Sequence, residues 1–426
     1  MGCGDYFRER SENPRVVPMH TGDHVAEAFV MSPINQQGEF RKTAIRRLAQ
    51  GYIDSGHFAS IEWLIQQHGE VIDAGFALPD GAPSSLPDRP IYRIYSMTKP
   101  IVAAAGVILM ERFRLHLFTP LGSILPEFRD MKVLNADGET EKAAPILIEH
   151  LFTHRAGFSY NFMPNCPVGA RYLSDGLVND GSCTLETFTT RASKFPLAFQ
   201  PGERWHYSIG HDILARVLEV VSGQTLGTLL QKEIFDPLGM KDTQFFVPES
   251  ERHRLMPMYG RSLDEILRAP EATAPLKRFD VADAYPCDKP ETFARGGHGL
   301  FSTADDYARF AQFTLDGKTP MGAPLVSRKM VDFMWHNRLS DEQLPYWLGP
   351  FPSPGYGFNL LGRVMLNPGQ AISLTGETES GWGGAAGTYY WSDRREGFVG
   401  TIMTQNLGSL SPMRTDMMAA AYQALG

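Results

Sequence analysis

The chain has 426 residues, 43% of them hydrophobic and 21% charged, an ordinary globular composition with length for two or three domains and a large core. A formal net charge of −8, with no basic cluster interleaved with aromatics, argues against nucleic acid and anionic membrane as partners. The opening MGCGDYFRERSENPR has no apolar signal core, and no run reaches the roughly 18 apolar residues of a membrane span. Cys3, Cys166, Cys183 and Cys287 form no C-x-x-C pair, so they read as reduced thiols in a cytoplasmic protein; a Cys166–Cys183 bridge would suit export by another route.

Residues 1–30 show no periodicity and read as an N-terminal arm. Arg41 to Asp54 is expected to be a surface helix. Two β-rich runs around His68-Gly69 predict an antiparallel hairpin. The run YRIYSMTKPIVAAAGVILM follows. Proline is tolerated only in a helix's first turn, so Pro100 places Ser96 at or beside a helix N-terminus. From Ile101 to Met110 the chain is apolar on every face, which predicts a buried helix.

From about Leu115 to Leu300, short helices alternate with loops rich in Pro, Gly and Asn. Ile146 to Phe152 is one helix, and Asp212 to Ser222 is another, with Gly223 at the position of a C′ glycine. Ser302 to Phe313 opens with Ser302, Thr303, Asp305 and Asp306, which suit an N-cap and first turn. YGFNLLGRVML, GTYYW and FVGTIMTQN read as strands, the last two as a hairpin across SDRREG. A last helix covers about Ser411 to Leu425. Strands near both ends with helices between predict an α/β domain (residues 31–115 plus 300–426) carrying a mainly helical domain (residues 116–299).

Ser96-Met97-Thr98-Lys99 carries the chemistry. Serine is a weak nucleophile until a neighbouring base takes its proton. Residues i and i+3 share a helix face, so Lys99 can reach Ser96, and burial would disfavour its charged form. The pattern alone is weak, since two fixed positions in four recur by chance about once in a chain this long. The alternative is an exposed serine and a snorkelling lysine.

Tyr207, at the loop end of an amphipathic helix, offers a phenol that could relay a proton, with His206 and His211 nearby. His150 and His154 lie one turn apart beside Glu149. Zinc would need a third ligand, and hydrogen bonding to loop backbone is the favoured reading. Gly296-Gly297-His298-Gly299 either lines a cleft or turns the chain. The glycines of GWGGAAGT mark close approach of a ligand or another backbone, and could supply an N–H to an oxyanion. The same stretch fits a loosened G-x-G-x-x-A pattern, but it precedes a strand and not a helix, so no dinucleotide cradle is expected.

Taken in order, these motifs resemble the serine β-lactamase and penicillin-binding-protein superfamily, and within it the class C-like members and family VIII carboxylesterases. Ser96-Met97-Thr98-Lys99 resembles the Ser-x-x-Lys motif. HLFTHRAGF resembles HLLTHTSGL, and PGERWHYSIGHDILARVLEVVSG resembles the PG-x-x-x-x-YS segment, with Tyr207 as its tyrosine. PLGMKDTQFFVP and GGHGLFSTADDYARF are further signatures, and the resemblance covers about residues 40–425.

The resemblance implies an antiparallel sheet flanked by helices, a mostly helical second domain, and catalysis by Ser96, Lys99 and Tyr207. It also implies an oxyanion hole from the backbone N–H groups of Ser96 and Ala385. Two departures stand out. Ile209 replaces the asparagine of Tyr-x-Asn, and Trp382-Gly383-Gly384 replaces Lys-Thr-Gly, as in the esterase branch. The expected activity is therefore hydrolysis of small to medium, fairly apolar carboxylic esters, and the departures leave room for slow β-lactam hydrolysis beside it. Trp382, Gly383, Gly384, Phe158, Tyr160 and His298 are the expected pocket residues. No metal or cofactor is called for, and the partner is a small-molecule ester; a homo-oligomer is compatible with the chain. An acyltransferase, a D,D-peptidase or β-lactamase, and a non-catalytic scaffold are the competing readings.

Overall fold

The computed structural model describes residues 37–82, 85–163, 165–178, 181–261, 276–278, 280–282, 284–289 and 292–425; the arm expected over residues 1–30 lies outside them. Helix α1 (Gln37–Asp54) is followed by β1 (Ile61–Gln67) and β2 (Glu70–Ala77). These two strands turn at His68-Gly69, with φ of 52° and 84°. Positive φ at both central residues matches the right-handed twist of a hairpin. Helix α2 (Thr98–Glu111) carries the apolar run, and Ile101 to Leu109 are at most 1% exposed apart from Gly106, itself buried.

Helices α3 (Ile148–Phe152) and α4 (Gly210–Ser222) come next, the latter stopped by Gly223 in the left-handed region at φ 71°. In α5 (Ala304–Asp316) the Thr303 hydroxyl accepts the Asp306 N–H at 3.2 Å, the cap read from the sequence. Five strands of the main sheet follow: β3 (Tyr356–Phe358), β4 (Arg363–Met365), β5 (Glu379–Gly383), β6 (Tyr389–Asp393) and β7 (Phe398–Met403). Helix α6 (Met413–Ala424) closes the described chain.

The seven strands form one antiparallel sheet in the order β3-β4-β5-β6-β7-β1-β2. Strand β1 therefore lies between β2 and β7, with Glu62 opposite Met403. Successive residues of a strand point to opposite faces, and here both faces are covered. Trp63, Ile65, Trp391 and Ile402 pack with α1 and α6, whereas Leu64, Tyr390, Val399 and Met403 join the core that holds α2 and α5.

Two expectations change. The helix over residues 41–54 is not merely superficial, because Ile45, Ala49 and Ile53 bury one face of it against the sheet. YGFNLLGRVML is two short strands and not one. Asn359 Oδ1 accepts the N–H groups of both Leu361 and Gly362 at 2.8 Å, closing a turn inside the apolar run. Among the described residues no single helix is long and apolar enough to cross a membrane.

Candidate active site

Ser96 occupies a single 3₁₀ turn, Tyr95–Met97, that leads into α2. Tyr95 sits at φ 44°, a region that a bulky residue enters only when its surroundings impose it. The constraints are visible on both sides of the serine. Ile94 N–H donates to the Leu300 carbonyl at 3.1 Å, Tyr307 Oη–H donates to the Met97 carbonyl at 2.7 Å, and the Tyr95 ring stands edge-on to Tyr285 at 4.9 Å. The segment preceding and opening α5 thus clamps the turn that presents Ser96.

Lys99 is 2% exposed. Its Nζ lies 3.2 Å from Ser96 Oγ and donates to the Gly297 carbonyl at 2.7 Å. Tyr207 Oη–H donates to Ser96 Oγ at 2.6 Å. The rings of Tyr207 and Tyr160 flank the lysine, with centroids 4.7 and 5.1 Å from Nζ. The structure therefore brings Ser96, Lys99, Tyr207 and Tyr160 together from separate parts of the chain.

Two further residues complete this cluster, one of them from the Gly296-Gly297-His298-Gly299 run. Gly297 supplies the carbonyl that holds Lys99, and its own N–H donates to Asp212 Oδ1 at 2.9 Å. A Cβ on Gly297 would stand 2.5 Å from Asp212 Oδ2 and 2.7 Å from the Tyr160 hydroxyl, so only glycine permits this approach. Asp212 lies in the first turn of α4 and is fully buried. Burial pushes its carboxyl above the usual range, while Lys99 opposes that shift. The GGHG run was the available signal for Gly297, whereas a first-turn aspartate looks like an ordinary helix-dipole residue.

The imidazoles take supporting places. His206 Nε2 pairs with Ser159 Oγ at 2.9 Å. His150 Nδ1 accepts the Leu147 N–H at 3.2 Å, and His154 Nδ1 accepts that of Ser208 at 3.3 Å, so both bond loop backbone. The His154 ring is 4.7 Å from Tyr207 and 4.9 Å from His211. Burial holds His154 and His211 well below the usual histidine range, and the Lys99 charge adds to this. His298 faces Tyr285 and Phe293, with its pKa lowered to about 3 by burial. Phe158 is not brought to Ser96: it is a core residue, edge-on to Phe128 at 5.8 Å.

Strand β5 forms the opposite wall. The buried Trp382 ring stands 5.8 Å from Tyr207 and 5.2 Å from Phe358. After Gly383 the chain turns toward β6, with Gly384 N–H donating to the Thr388 carbonyl at 2.8 Å. Gly384 lies directly against the segment that leads into Ser96, since a Cβ there would be 2.3 Å from the Ile94 carbonyl oxygen. Ala385 is exposed, and its N–H meets no acceptor among the described residues. A serine hydroxyl between an amine and a phenol, with an unengaged backbone N–H on the turn after β5, has the parts needed for acyl transfer.

Comparison with known proteins agrees with this architecture. Residues 45–425 match the family model described as Beta-lactamase. Protein Rv1367c of Mycobacterium tuberculosis is 30% identical over 385 residues, covering 87% of this chain and 90% of its own. Esterase EstB of Burkholderia gladioli is 28% identical over 377 residues, covering 84% and 89%. The solved structure of EstCE1, titled a hydrolase with promiscuous acyltransferase activity, aligns with a TM-score of 0.74 over 91% of this chain and 99% of its own, at 23% identity.

Proposed function

The chain belongs to the Beta-lactamase family, and on that premise we propose that it is a serine carboxylesterase acting on small to medium, fairly apolar carboxylic esters. The observation that carries this reading is the Lys99–Ser96–Tyr207 hydrogen-bonded cluster facing a Trp-Gly-Gly strand. The similarity to an esterase over most of both chains supports it.

Ser96 Oγ attacks the ester carbonyl carbon as its proton passes to the Lys99–Tyr207 pair. The N–H groups of Ser96 and Ala385 hold the oxyanion. Collapse of the tetrahedral intermediate breaks the bond to the alcohol oxygen, and the same pair returns the proton to the departing alcohol. Water, activated by that pair, then hydrolyses the acyl-enzyme and frees Ser96. Trp382 offers a flat apolar wall where a lysine would attract a substrate carboxylate. Tyr160 closes the floor beside Lys99. In the two-domain division, Ser96, Lys99 and Trp382 come from the α/β part and Tyr207 and Gly297 from the helical part, so the site lies at their junction. The scattered cysteines support a cytoplasmic setting.

Ser96→Ala should abolish turnover of p-nitrophenyl butyrate in a protein that still folds, and retained turnover would end the assignment. Lys99→Ala and Tyr207→Phe should each lose most of kcat while substrate binding persists. A near-normal Tyr207→Phe would require another base, and His206, already paired with Ser159, would be tested next. Product analysis with added alcohols separates hydrolysis from acyl transfer.

A further inference from the structure

We propose that Arg414 is a positioning residue for the oxyanion donor, acting through the carbonyl of Gly384. This rests on the reading of Ala385 N–H as one of the two donors.

The Gly384 carbonyl and the Ala385 N–H belong to one peptide unit. That unit is planar and trans, so fixing the direction of its C=O fixes the direction of its N–H. Arg414 Nη2 donates to Gly384 O at 2.5 Å, a charge-assisted bond to a neutral acceptor. Gly387 N–H reaches the same oxygen at 3.2 Å, so this carbonyl is held from two directions. Donation to a carbonyl oxygen also draws electron density toward it and makes the N–H of the same unit a stronger donor. The group that needs to point at a developing negative charge is thereby both aimed and polarised by a cation that never touches substrate.

The neighbouring sequence is built for this contact. A Cβ at Gly383 would stand 2.6 Å from Arg414 Nη1, so the guanidinium takes the space of a side chain at that position. The first glycine after Trp382 makes room for Arg414, and the second makes room for the Ile94 carbonyl. Among the described residues no carboxylate pairs with Arg414, whereas nearby Arg363 is neutralised by the buried Glu379 at 3.1 Å. Burial lowers the Arg414 pKa to about 10, which leaves it charged at neutral pH. The residue enters from α6, the last element of the fold, and the strand it serves is the one where this chain departs from Lys-Thr-Gly.

The test uses the full-length protein and p-nitrophenyl butyrate. Arg414→Ala should lower kcat about tenfold, a fraction of the 10²–10³ lost on deleting an oxyanion donor outright, with KM within about twofold. Affinity for a boronic acid that mimics the tetrahedral state should fall by the same factor, and Arg414→Lys should recover part of both. The amount of enzyme titrated by a fluorophosphonate should stay the same. Unchanged kcat, or a loss confined to KM or to the titratable fraction, would overturn the proposal. The infrared carbonyl stretch of a slowly hydrolysed acyl-enzyme separates the two layers of the argument. If the wild-type stretch is not lowered relative to the free ester, the oxyanion reading fails. If it is lowered equally in wild type and Arg414→Ala, the role of Arg414 fails and the oxyanion reading stands.

Discussion

Gly384→Ala is the smallest change that should separate the nucleophile from the wall opposite it. The new Cβ would lie 2.2 Å from Thr388 Oγ1 and 2.3 Å from the Ile94 carbonyl oxygen. The threonine hydroxyl can rotate away; the carbonyl cannot. Ile94 is fully buried, and its N–H is bonded to Leu300 at 3.1 Å. Ordinary contact begins near 3.4 Å, so the β5–β6 turn has to retreat by about 1 Å (3.4 − 2.3). That retreat falls on the spacing between Ser96 and Ala385. A misplacement of about 1 Å costs on the order of 10²-fold in rate, and overpacking a tight site costs about 1–3 kcal/mol of stability. The assay is kcat on p-nitrophenyl butyrate normalised to fluorophosphonate-titrated enzyme, with urea midpoints measured in parallel. Gly51→Ala is the control, since a Cβ there, on an exposed position of α1, has nothing within 4 Å. It should leave kcat alone and stabilise the helix by about 0.5–1 kcal/mol. A Gly384→Ala enzyme with kcat within about threefold of wild type would refute the argument that this contact sets the site's geometry.

His150 should make stability depend on acidity. Burial lowers its pKa from the usual 6.5 to about 4, so between these values the unfolded chain binds a proton that the folded one rejects. Its contribution is complete above pH 6.5 and is lost as pH falls toward 4, by about 3 kcal/mol, from (6.5 − 4) × 1.36. Glu62, pushed up to about 7 by burial, acts in the opposite direction, so the effect is read as a difference. His150→Gln should be less stable than wild type at pH 7.5, with the gap closing by pH 4.5; a gap independent of pH would refute it. Arg363→Met should cost about 3–5 kcal/mol in urea unfolding, because it leaves the Glu379 carboxylate buried without its cation. A midpoint unchanged from wild type would show that Glu379 is solvated or protonated instead.

The parts of this protein legible in the sequence are those set by local rules. The His68-Gly69 turn, the Thr303 cap and the Gly223 stop each follow from the backbone preferences of one or two residues. The all-apolar run after Pro100 could only be a buried helix, and it placed Ser96 correctly at the turn before it. YGFNLLGRVML is rich in apolar residues and reads as strand, whereas the turn that Asn359 closes inside it depends on side-chain hydrogen bonds that show only in the structure. Gly297 and Asp212 were harder. Their meaning depends on a glycine-rich loop meeting the first turn of α4 across a sequence separation of 85 residues, and neither segment alone shows that the two meet. Phe158 shows the converse: it is the last residue of a recognisable motif, yet its side chain turns into the core.

The place of β1 in the sheet has a consequence for biosynthesis. Its partner β2 follows at once, but the other edge waits for β7, whose Met403 lies opposite Glu62. Throughout translation of the intervening segments, β1 presents an open row of backbone donors and acceptors, the sort of edge on which chains aggregate. Pairing at such separation is also slow. Ser96 is synthesised early and its surroundings are completed only by the last strands, so a nascent chain stalled before Trp382 would contain Ser96, Lys99 and Tyr207 yet lack the wall that faces them.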